Sequence, residues 1–88
     1  MPDLTMLLGL AAAGLTSLSY IPQVRKALPH GATDDLSLKM LLALFTGLSI
    51  WCVYGFVRGD MVIIGANLIG ALLVGIVLAC KIRDERAS

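Results

Sequence analysis

Three long segments of this sequence contain no charged residue. Asp, Glu, Lys and Arg are absent from 4–24, 40–57 and 61–80, which are 21, 18 and 20 residues long. A helix rises about 1.5 Å per residue and the hydrocarbon core of a bilayer is about 30 Å thick, so each segment is about long enough to cross a membrane once. We therefore predict an all-α membrane protein, a bundle of three transmembrane helices with spans at about 4–28, 37–57 and 61–80.

The composition excludes a soluble domain. Of the 88 residues, 58% are hydrophobic and only 15% are charged, whereas an ordinary soluble domain has about 25% charged residues. The three segments are apolar almost all the way round a helix, so they offer no polar face to water. The length allows one domain, and we predict that residues 1–88 form a single transmembrane domain.

The basic residues are distributed unevenly between the two sides of the predicted bundle. Three spans place the loop at 29–35 and the C-terminal tail on the same side of the membrane. That side has six of the seven Lys and Arg residues, and the other side has only Arg58. Basic loops stay in the cytoplasm, so we predict an N-terminus outside the cell and a cytoplasmic C-terminus.

The two connections are short and rich in turn-forming residues. Residues 29–35 read Pro-His-Gly-Ala-Thr-Asp-Asp, a composition typical of a loop. Either Asp35 or Ser37 can cap the second helix, because each has a side-chain oxygen for the unpaired backbone N–H groups. The second connection, around Gly59, is tight enough to make the second and third helices an antiparallel pair.

Small residues recur four positions apart inside the spans, at Gly9 and Ala13, Ala66 and Gly70, and Ala71 and Gly75. Lipid provides no hydrophobic drive between helices, so close packing at such positions is a main source of helix association. Two of the three pairs are in the third helix, which favours this helix as the middle of the bundle. The alternative is that glycine is simply common in transmembrane helices.

The sequence has no pattern typical of an enzyme or a metal site. His30 is the only histidine and has no Cys near it, and there is no glycine-rich phosphate loop. Cys52 and Cys80 do not make a metal site and are predicted to be small core residues. We expect no catalytic residue, no metal, no cofactor and no nucleic-acid partner for a protein surrounded by membrane lipid.

Two residues that can stack or form hydrogen bonds lie at the same depth in the membrane. Trp51 and Asn67 are each eight positions from Gly59, so each is about 12 Å from the turn. An indole ring suits the C–H face of a sugar ring, and an amide can donate to and accept from hydroxyl groups. We predict that both residues bind a neutral polyol. The alternative is packing for Trp51 and a hydrogen bond between helices for Asn67.

Further polar residues lie toward the two ends of the bundle. Tyr54 and Arg58 follow Trp51 at helical spacing and could line an outer entrance. Asp60 could help to close that entrance by pairing with Arg58 of the same or another subunit. Toward the other end, Pro22 lacks an N–H and is predicted to kink the first helix. Such a kink is either a hinge or a static bend.

Taken in order, these motifs resemble the bacterial SemiSWEET sugar transporters of the MtN3/saliva/PQ-loop superfamily. The resemblance rests on Tyr20-Ile21-Pro22-Gln23 in the first helix, Trp51-Cys52-Val53-Tyr54-Gly55 in the second, Arg58-Gly59-Asp60 in the turn and Ala66-Asn67 in the third. It covers essentially the whole chain. It implies a parallel homodimer of three-helix bundles in the bacterial inner membrane, with the third helix between the other two and the pathway along the two-fold axis.

The resemblance also implies roles for individual residues. Sugar would be bound by Trp51 and Asn67. The outer gate would consist of Tyr54, Arg58 and Asp60, and the inner hinge and gate of Pro22, Gln23, Tyr20 and Met40. Some relatives have a larger or polar residue in place of Gly47, which leaves the choice between a mono- and a disaccharide open.

Three helices cannot enclose a pathway alone, so we predict a homodimer that moves a mono- or disaccharide, such as glucose or sucrose, by alternating access. The spans contain no acidic residue, which indicates facilitated diffusion in either direction instead of proton coupling. Two alternatives stay open. One is transport of another small neutral or cationic solute, and the other is a structural or accessory subunit of a membrane complex.

Overall fold

The computed structural model describes residues 3–87, which form three α-helices and two short connections. The helices are α1 (Leu4–Ala27), α2 (Leu38–Arg58) and α3 (Met61–Ala87). Each is long and apolar enough to cross a membrane, which confirms the predicted three-helix transmembrane architecture. Helix α3 continues past the predicted span at 61–80. Its 27 residues extend about 40 Å, so we assign the turns after Cys80 to the membrane surface.

Side chains cap the first two helices at their N-termini. The carboxylate of Asp3 accepts a hydrogen bond of 2.8 Å from the Met6 N–H at the start of α1. The hydroxyl of Ser37 accepts one of 3.1 Å from the Met40 N–H at the start of α2. Of the two candidate caps for α2, the structure therefore uses Ser37 and leaves Asp35 in the loop.

A left-handed glycine forms the turn between α2 and α3. Gly59 has a φ of 68°, a conformation that favours glycine because it has no Cβ. Its N–H donates to the carbonyls of Gly55 and Phe56 and so ends α2. Helix α3 begins two residues later. We call this end of the bundle the turn end, and the opposite end, which has the α1–α2 connection at 28–37, the loop end.

Helix α3 lies between the other two helices. Its backbone lies close to those of both α1 and α2, whereas no Cα atom of α1 lies within 8 Å of a Cα atom of α2 in the described residues. The predicted spatial order 1-3-2 is therefore confirmed. The bundle measures 51 × 23 × 14 Å, and one helix with its side chains is about 10–12 Å across. The chain is thus flat, and its shortest dimension is only slightly larger than the width of one helix.

Glycines in α3 receive side chains from both neighbours. A Cβ atom at Gly70 would lie 3.2 Å from the ring of Tyr20 in α1 and 3.4 Å from Leu48 in α2, and one at Gly75 would lie 3.2 Å from the ring of Phe45. The core is concentrated near the loop end, where Ala27, Leu41, Val74, Val77, Leu78 and Cys80 are buried. Small residues therefore let α3 pack against both neighbours, as their spacing predicted.

Helices α2 and α3 approach each other closely at Gly55. A Cβ atom there would lie 2.8 Å from Cγ2 of Ile63 and 3.0 Å from the backbone nitrogen of Ile64. The Ile63 side chain can rotate away, but the backbone of α3 cannot move without disturbing the helix. Gly55 is therefore required for the tight α2–α3 pair.

We expect Gly55→Ala to lower the free energy of unfolding by about 1–3 kcal/mol, because the added methyl group forces the two helices apart. Gly14→Ala is the matched control, since a Cβ at Gly14 has no atom within 4 Å and alanine has the higher helix propensity. Thermal unfolding of both purified variants in detergent measures the difference. A Gly55→Ala protein as stable as the Gly14→Ala protein would show that the close approach is not needed.

Candidate functional site

The tight turn brings the two predicted sugar-binding residues to the same depth. Trp51 and Asn67 are each eight residues from Gly59, on antiparallel helices joined by that turn. Asn67 is half-buried, and its amide donates a hydrogen bond of 2.9 Å to the carbonyl of Ile63, one turn earlier in α3. This bond uses one donor of the amide and leaves its carbonyl oxygen and second N–H for another partner.

Trp51 is on an open face of α2. Its side chain is 52% exposed and packs edge to face on Tyr54, with ring centroids 5.3 Å apart and an angle of 85°. The two rings line a cavity of about 290 Å³ together with Gly47 and Ile50. All four residues belong to α2, and Asn67 is not in this lining. A single chain therefore provides one wall of a site at Trp51 and does not join the two predicted binding residues.

Two of the three predicted outer-gate residues line one cleft. Arg58 and Asp60 border a cleft of about 650 Å³ at the turn end, and Asp3 at the start of α1 borders it as well. Tyr54 is one turn further from the turn end and lines the Trp51 cavity instead. The sequence reasoning did not include Asp3, which reaches this cleft only because α1 packs beside the α2–α3 turn.

Asp60 caps α3. Its carboxylate accepts hydrogen bonds of 3.0 Å from the Val62 N–H and 3.2 Å from the Ile63 N–H. The ion pairs of the described residues do not include Arg58 with Asp60, so the pair predicted within one subunit is not formed. A pair between subunits stays a prediction. The cap is a structural reason for an acidic residue directly after Gly59, and the gate role of Asp60 stays a prediction.

The structure separates the four residues that are predicted to form the inner hinge and gate. Gln23 of α1 and Met40 of α2 line one cavity of about 250 Å³ at the loop end. Pro22 is exposed within the continuous helix α1. Tyr20 is half-buried and packs against the core and Gly70. The structure thus places Gln23 and Met40 together and places Tyr20 deeper, near the centre of the bundle.

A cluster of charged residues that the sequence reasoning did not single out fastens the α1–α2 connection to α3. We call Lys81, Arg83 and Asp84 the loop clamp. The carboxylate of Asp84 accepts hydrogen bonds from the Gly31 N–H at 3.0 Å, the Thr33 N–H at 3.2 Å and the Thr33 hydroxyl. The ammonium group of Lys81 donates to the carbonyl of Thr33 at 2.9 Å. Thr33 is therefore held through its backbone N–H, its hydroxyl and its carbonyl, and Gly31 is held through its backbone N–H.

Arg83 attaches the end of α1 to the same cluster. Its guanidinium donates to the carbonyls of Leu28 at 2.8 Å, Pro29 at 3.0 Å and Ala27 at 3.3 Å. It also pairs with Asp84 at 2.9 Å. From the sequence, Lys81 and Arg83 count only as basic residues that set the topology. The one signal of a further role is that Asp84 and Glu85 stand among these basic residues, shortly after the last span.

The carboxylate of Asp84 stays ionised over the physiological pH range. The hydrogen bond from Arg83, followed by those from Thr33 and Gly31, holds the pKa of Asp84 well below its usual range. These donors favour the ionised carboxylate. A carboxylate with a lowered pKa stabilises the folded chain above its unfolded pKa, and this stabilisation is lost only as the pH falls through the lowered value. Asp84 therefore remains an acceptor at neutral pH.

Metal binding finds no support in the part of the chain that the structure describes, which contains no group of three His, Cys, Asp or Glu residues able to hold an ion. Three open cavities of the described residues include predicted site residues, and a further cavity of about 490 Å³ between α1 and α3 includes none of them. The first three lie at the turn end, at the depth of Trp51 and at the loop end.

Comparison with known proteins places this arrangement in a family. A model described as the PQ loop repeat matches residues 4–64. A protein of Bradyrhizobium diazoefficiens named Sugar transporter SemiSWEET is 40% identical over 82 residues, which are 93% of this chain and 95% of that protein. One of the same name from Leptospira biflexa is 38% identical over 78 residues, 89% of this chain and 92% of that protein.

A solved structure has the same fold. The crystal structure of a bacterial homologue of SWEET transporters matches with a TM-score of 0.85 and 33% sequence identity. The match covers 93% of this chain and 99% of the other. The two proteins are therefore similar in sequence and in helix arrangement over nearly their full length.

We expect Asp60→Ala to destabilise the protein by about 0.5–2 kcal/mol, because α3 loses its N-cap. Asp60→Asn should be much closer to the parent protein, since asparagine caps about as well as aspartate. Asp34→Ala is the control, because Asp34 is an exposed loop residue. Thermal unfolding in detergent compares the three variants. The cap assignment is wrong if Asp60→Ala and Asp34→Ala are equally stable.

Proposed function

This chain belongs to the PQ-loop family as a homologue of its SemiSWEET members, and on that premise we propose that two copies form a parallel homodimer that transports a sugar by alternating access. The relatives named as sugar transporters match it over nearly their whole length. Transporters form a class without catalytic chemistry, and the chain is accordingly not an enzyme. The observation that carries the proposal is the half-built cavity at Trp51.

A second copy is needed because one chain is flat. The bundle is 14 Å deep, and the cavity at Trp51 has residues of α2 alone in its wall. A two-fold axis along the membrane normal would supply the opposite wall, with two Trp51 and two Asn67 side chains around one pocket. Parallel repeats related by such an axis are an established transporter architecture, of which SWEET proteins are a standard example.

The chemistry of this pocket suits a neutral polyol. Trp51 offers an exposed ring for the C–H face of a sugar, and Asn67 keeps a free carbonyl oxygen and one free N–H for hydroxyl groups. Asp, Glu, Lys and Arg are absent from segments 4–24, 40–57 and 61–80, so the pocket has no counter-ion for a charged substrate. A Cβ at Gly47 would have no atom of the same chain within 4 Å, and the choice between a mono- and a disaccharide stays open.

The ends of the pathway would act as its gates. At the turn end, Arg58 and Asp60 border the outer cleft, and Tyr54 lies between that cleft and the pocket. At the loop end, Gln23 and Met40 line the inner cavity. The gates would open in turn around a fixed pocket, with Pro22 as the hinge of α1. We place the loop end in the cytoplasm and the N-terminus outside the bacterial inner membrane, from the distribution of basic residues.

The transport would be facilitated diffusion in either direction. Coupling to protons usually requires an ionisable residue inside the membrane, where a change of protonation can favour one conformation. All six acidic residues lie outside the uncharged segments. A sugar gradient is then the only driving force.

We expect liposomes that contain only the purified protein to take up radiolabelled glucose or sucrose to equilibrium, with saturable kinetics. An imposed pH gradient should leave the final amount of labelled sugar in the liposomes unchanged, because the spans contain no acidic residue that could couple transport to protons. Protein-free liposomes are the control. Accumulation above equilibrium with a proton gradient would rule out the uniporter, and no uptake of either sugar by a folded dimer would rule out the proposed substrates.

We expect Trp51→Ala and Asn67→Ala to lower sugar uptake by about tenfold or more, because each loses an interaction of about 1.4 kcal/mol or larger with the substrate. Phe56→Ala is the matched control, since Phe56 is a 78% exposed aromatic residue of the same helix outside the Trp51 cavity. Crosslinking in detergent checks that each variant still forms a dimer. If Trp51→Ala or Asn67→Ala abolishes the dimer, the residue serves packing.

A further inference from the structure

The loop clamp formed by Lys81, Arg83 and Asp84 has no part in the pocket or in the two gates described above. Even so, it involves the two buried polar residues of the described chain. Lys81, a member of the clamp, is 5% exposed, and Thr33, which the clamp holds, is 0% exposed. Every buried side-chain nitrogen and oxygen among the described residues has a hydrogen-bond partner. A buried polar network that is fully satisfied holds its members in one arrangement. The position of the loop relative to α3 is therefore closely specified.

One part of the clamp replaces the hydrogen bonds that the end of α1 lacks. The last carbonyls of a helix have no partner inside the helix. Arg83 donates to those of Ala27 and Leu28 and to that of Pro29, and Ala27 is also buried in the core. The terminal turn of α1 is thus attached to α3 by polar bonds and by apolar packing together.

The proposed hinge lies directly before this attached turn. Pro22 has no N–H, so the helix lacks the hydrogen bond to the carbonyl of Leu18 at this point. A bend there separates the first part of α1 from residues 23–28. Because the clamp holds the end of that segment and the loop after it, residues 23–33 stay with α3 when α1 bends.

Helix α3 connects the clamp to the opposite end of the molecule. It is continuous over 27 residues and contains no proline, which gives an unbroken length of about 40 Å. Its first turn is capped by Asp60, two residues after Arg58. Helix α3 therefore joins the outer cleft at one end to the loop that borders the inner cavity at the other.

We propose that Arg83 and Asp84 are positioning residues that make residues 23–33 move as one body with α3, so that the inner and outer gates cannot open at the same time. The proposal rests on the alternating access proposed above. Without the clamp, the end of α1 and the loop would move about Pro22 independently of α3. The inner gate would then no longer respond to the outer one.

The first test measures whether the clamp holds α1, using hydrogen exchange of backbone amides in detergent. Arg83→Gln and Asp84→Asn each remove the charge of one clamp residue. Their controls are Arg86→Gln and Asp34→Asn, which make the same changes at exposed positions of the same end. The amide of Leu28 is the readout, because it bonds to the carbonyl of Val24 and not to the clamp itself.

We expect exchange at Leu28 to be about tenfold faster or more in both clamp variants, the effect of losing bonds to a charged group. Exchange in the two controls should match the parent protein. Thr33→Val is a milder variant, which removes only the hydroxyl bond to Asp84 and preserves the shape of the side chain. It should show a smaller increase in the exchange rate at Leu28. If a charge variant does not fold, the Thr33→Val result decides whether the clamp holds α1.

The second test measures the coupling of the gates by counterflow. Liposomes loaded with unlabelled glucose or sucrose, whichever the parent protein equilibrates, are diluted into the labelled sugar. A carrier with exclusive gates accumulates label transiently above its final level. We expect this overshoot to disappear in the clamp variants and to persist in the controls. Binding, measured by the fluorescence of Trp51, the only tryptophan of the chain, should be the same in all of them.

The outcomes separate this proposal from the proposed function. Faster exchange at Leu28 with loss of the overshoot and unchanged binding supports the positioning role. Unchanged exchange, or faster exchange with a normal overshoot, overturns it. If the parent protein neither binds nor transports sugar, the proposed function fails, and the clamp proposal fails with it as a gating device. Exchange at Leu28 would still show whether the clamp holds α1.

Discussion

The structure depends on one constraint, which is that a backbone inside hydrocarbon must form all of its hydrogen bonds within the chain. Helices meet this requirement over their interior, and only their ends retain free N–H and C=O groups. In this protein four of the six helix ends are satisfied by side chains. Asp3, Ser37 and Asp60 accept from the first turns of the three helices, and Arg83 donates to the carbonyls at the end of α1. The polar residues therefore concentrate at the two ends of the bundle.

Between those ends the helices are held by close packing, because lipid is as apolar as the side chains and gives no hydrophobic drive. Gly55 lets α2 approach α3, and Gly70 receives side chains from α1 and α2 together. Helix α3 is consequently the shared partner, and α1 and α2 remain apart. This arrangement leaves a layer 14 Å deep with much of its apolar surface open to lipid or to a second copy.

In the proposed transporter, the chain would contribute parts of a pathway and not a closed one. The cavity at Trp51 has a wall from α2 only, the outer cleft gathers Arg58 and Asp60, and the inner cavity gathers Gln23 and Met40. The chain is similar in sequence to SemiSWEET relatives over nearly their whole length, and those relatives are named as sugar transporters. The loop clamp adds a means by which events at one end of α3 could reach the other.

The sequence by itself determined the three helices, the central position of α3 and the equal depth of Trp51 and Asn67. These features follow from local properties, namely the length of uncharged segments, the spacing of small residues and the distance from a turn. Only the tertiary structure decided that Ser37 caps α2, that Asp60 caps α3 without pairing with Arg58, and that Gln23 and Met40 share a cavity. It alone revealed the clamp, whose partners Thr33 and Asp84 are 51 positions apart. Such contacts depend on how each helix is rotated about its axis and how far α3 extends beyond the membrane, and no local pattern of residues specifies either quantity.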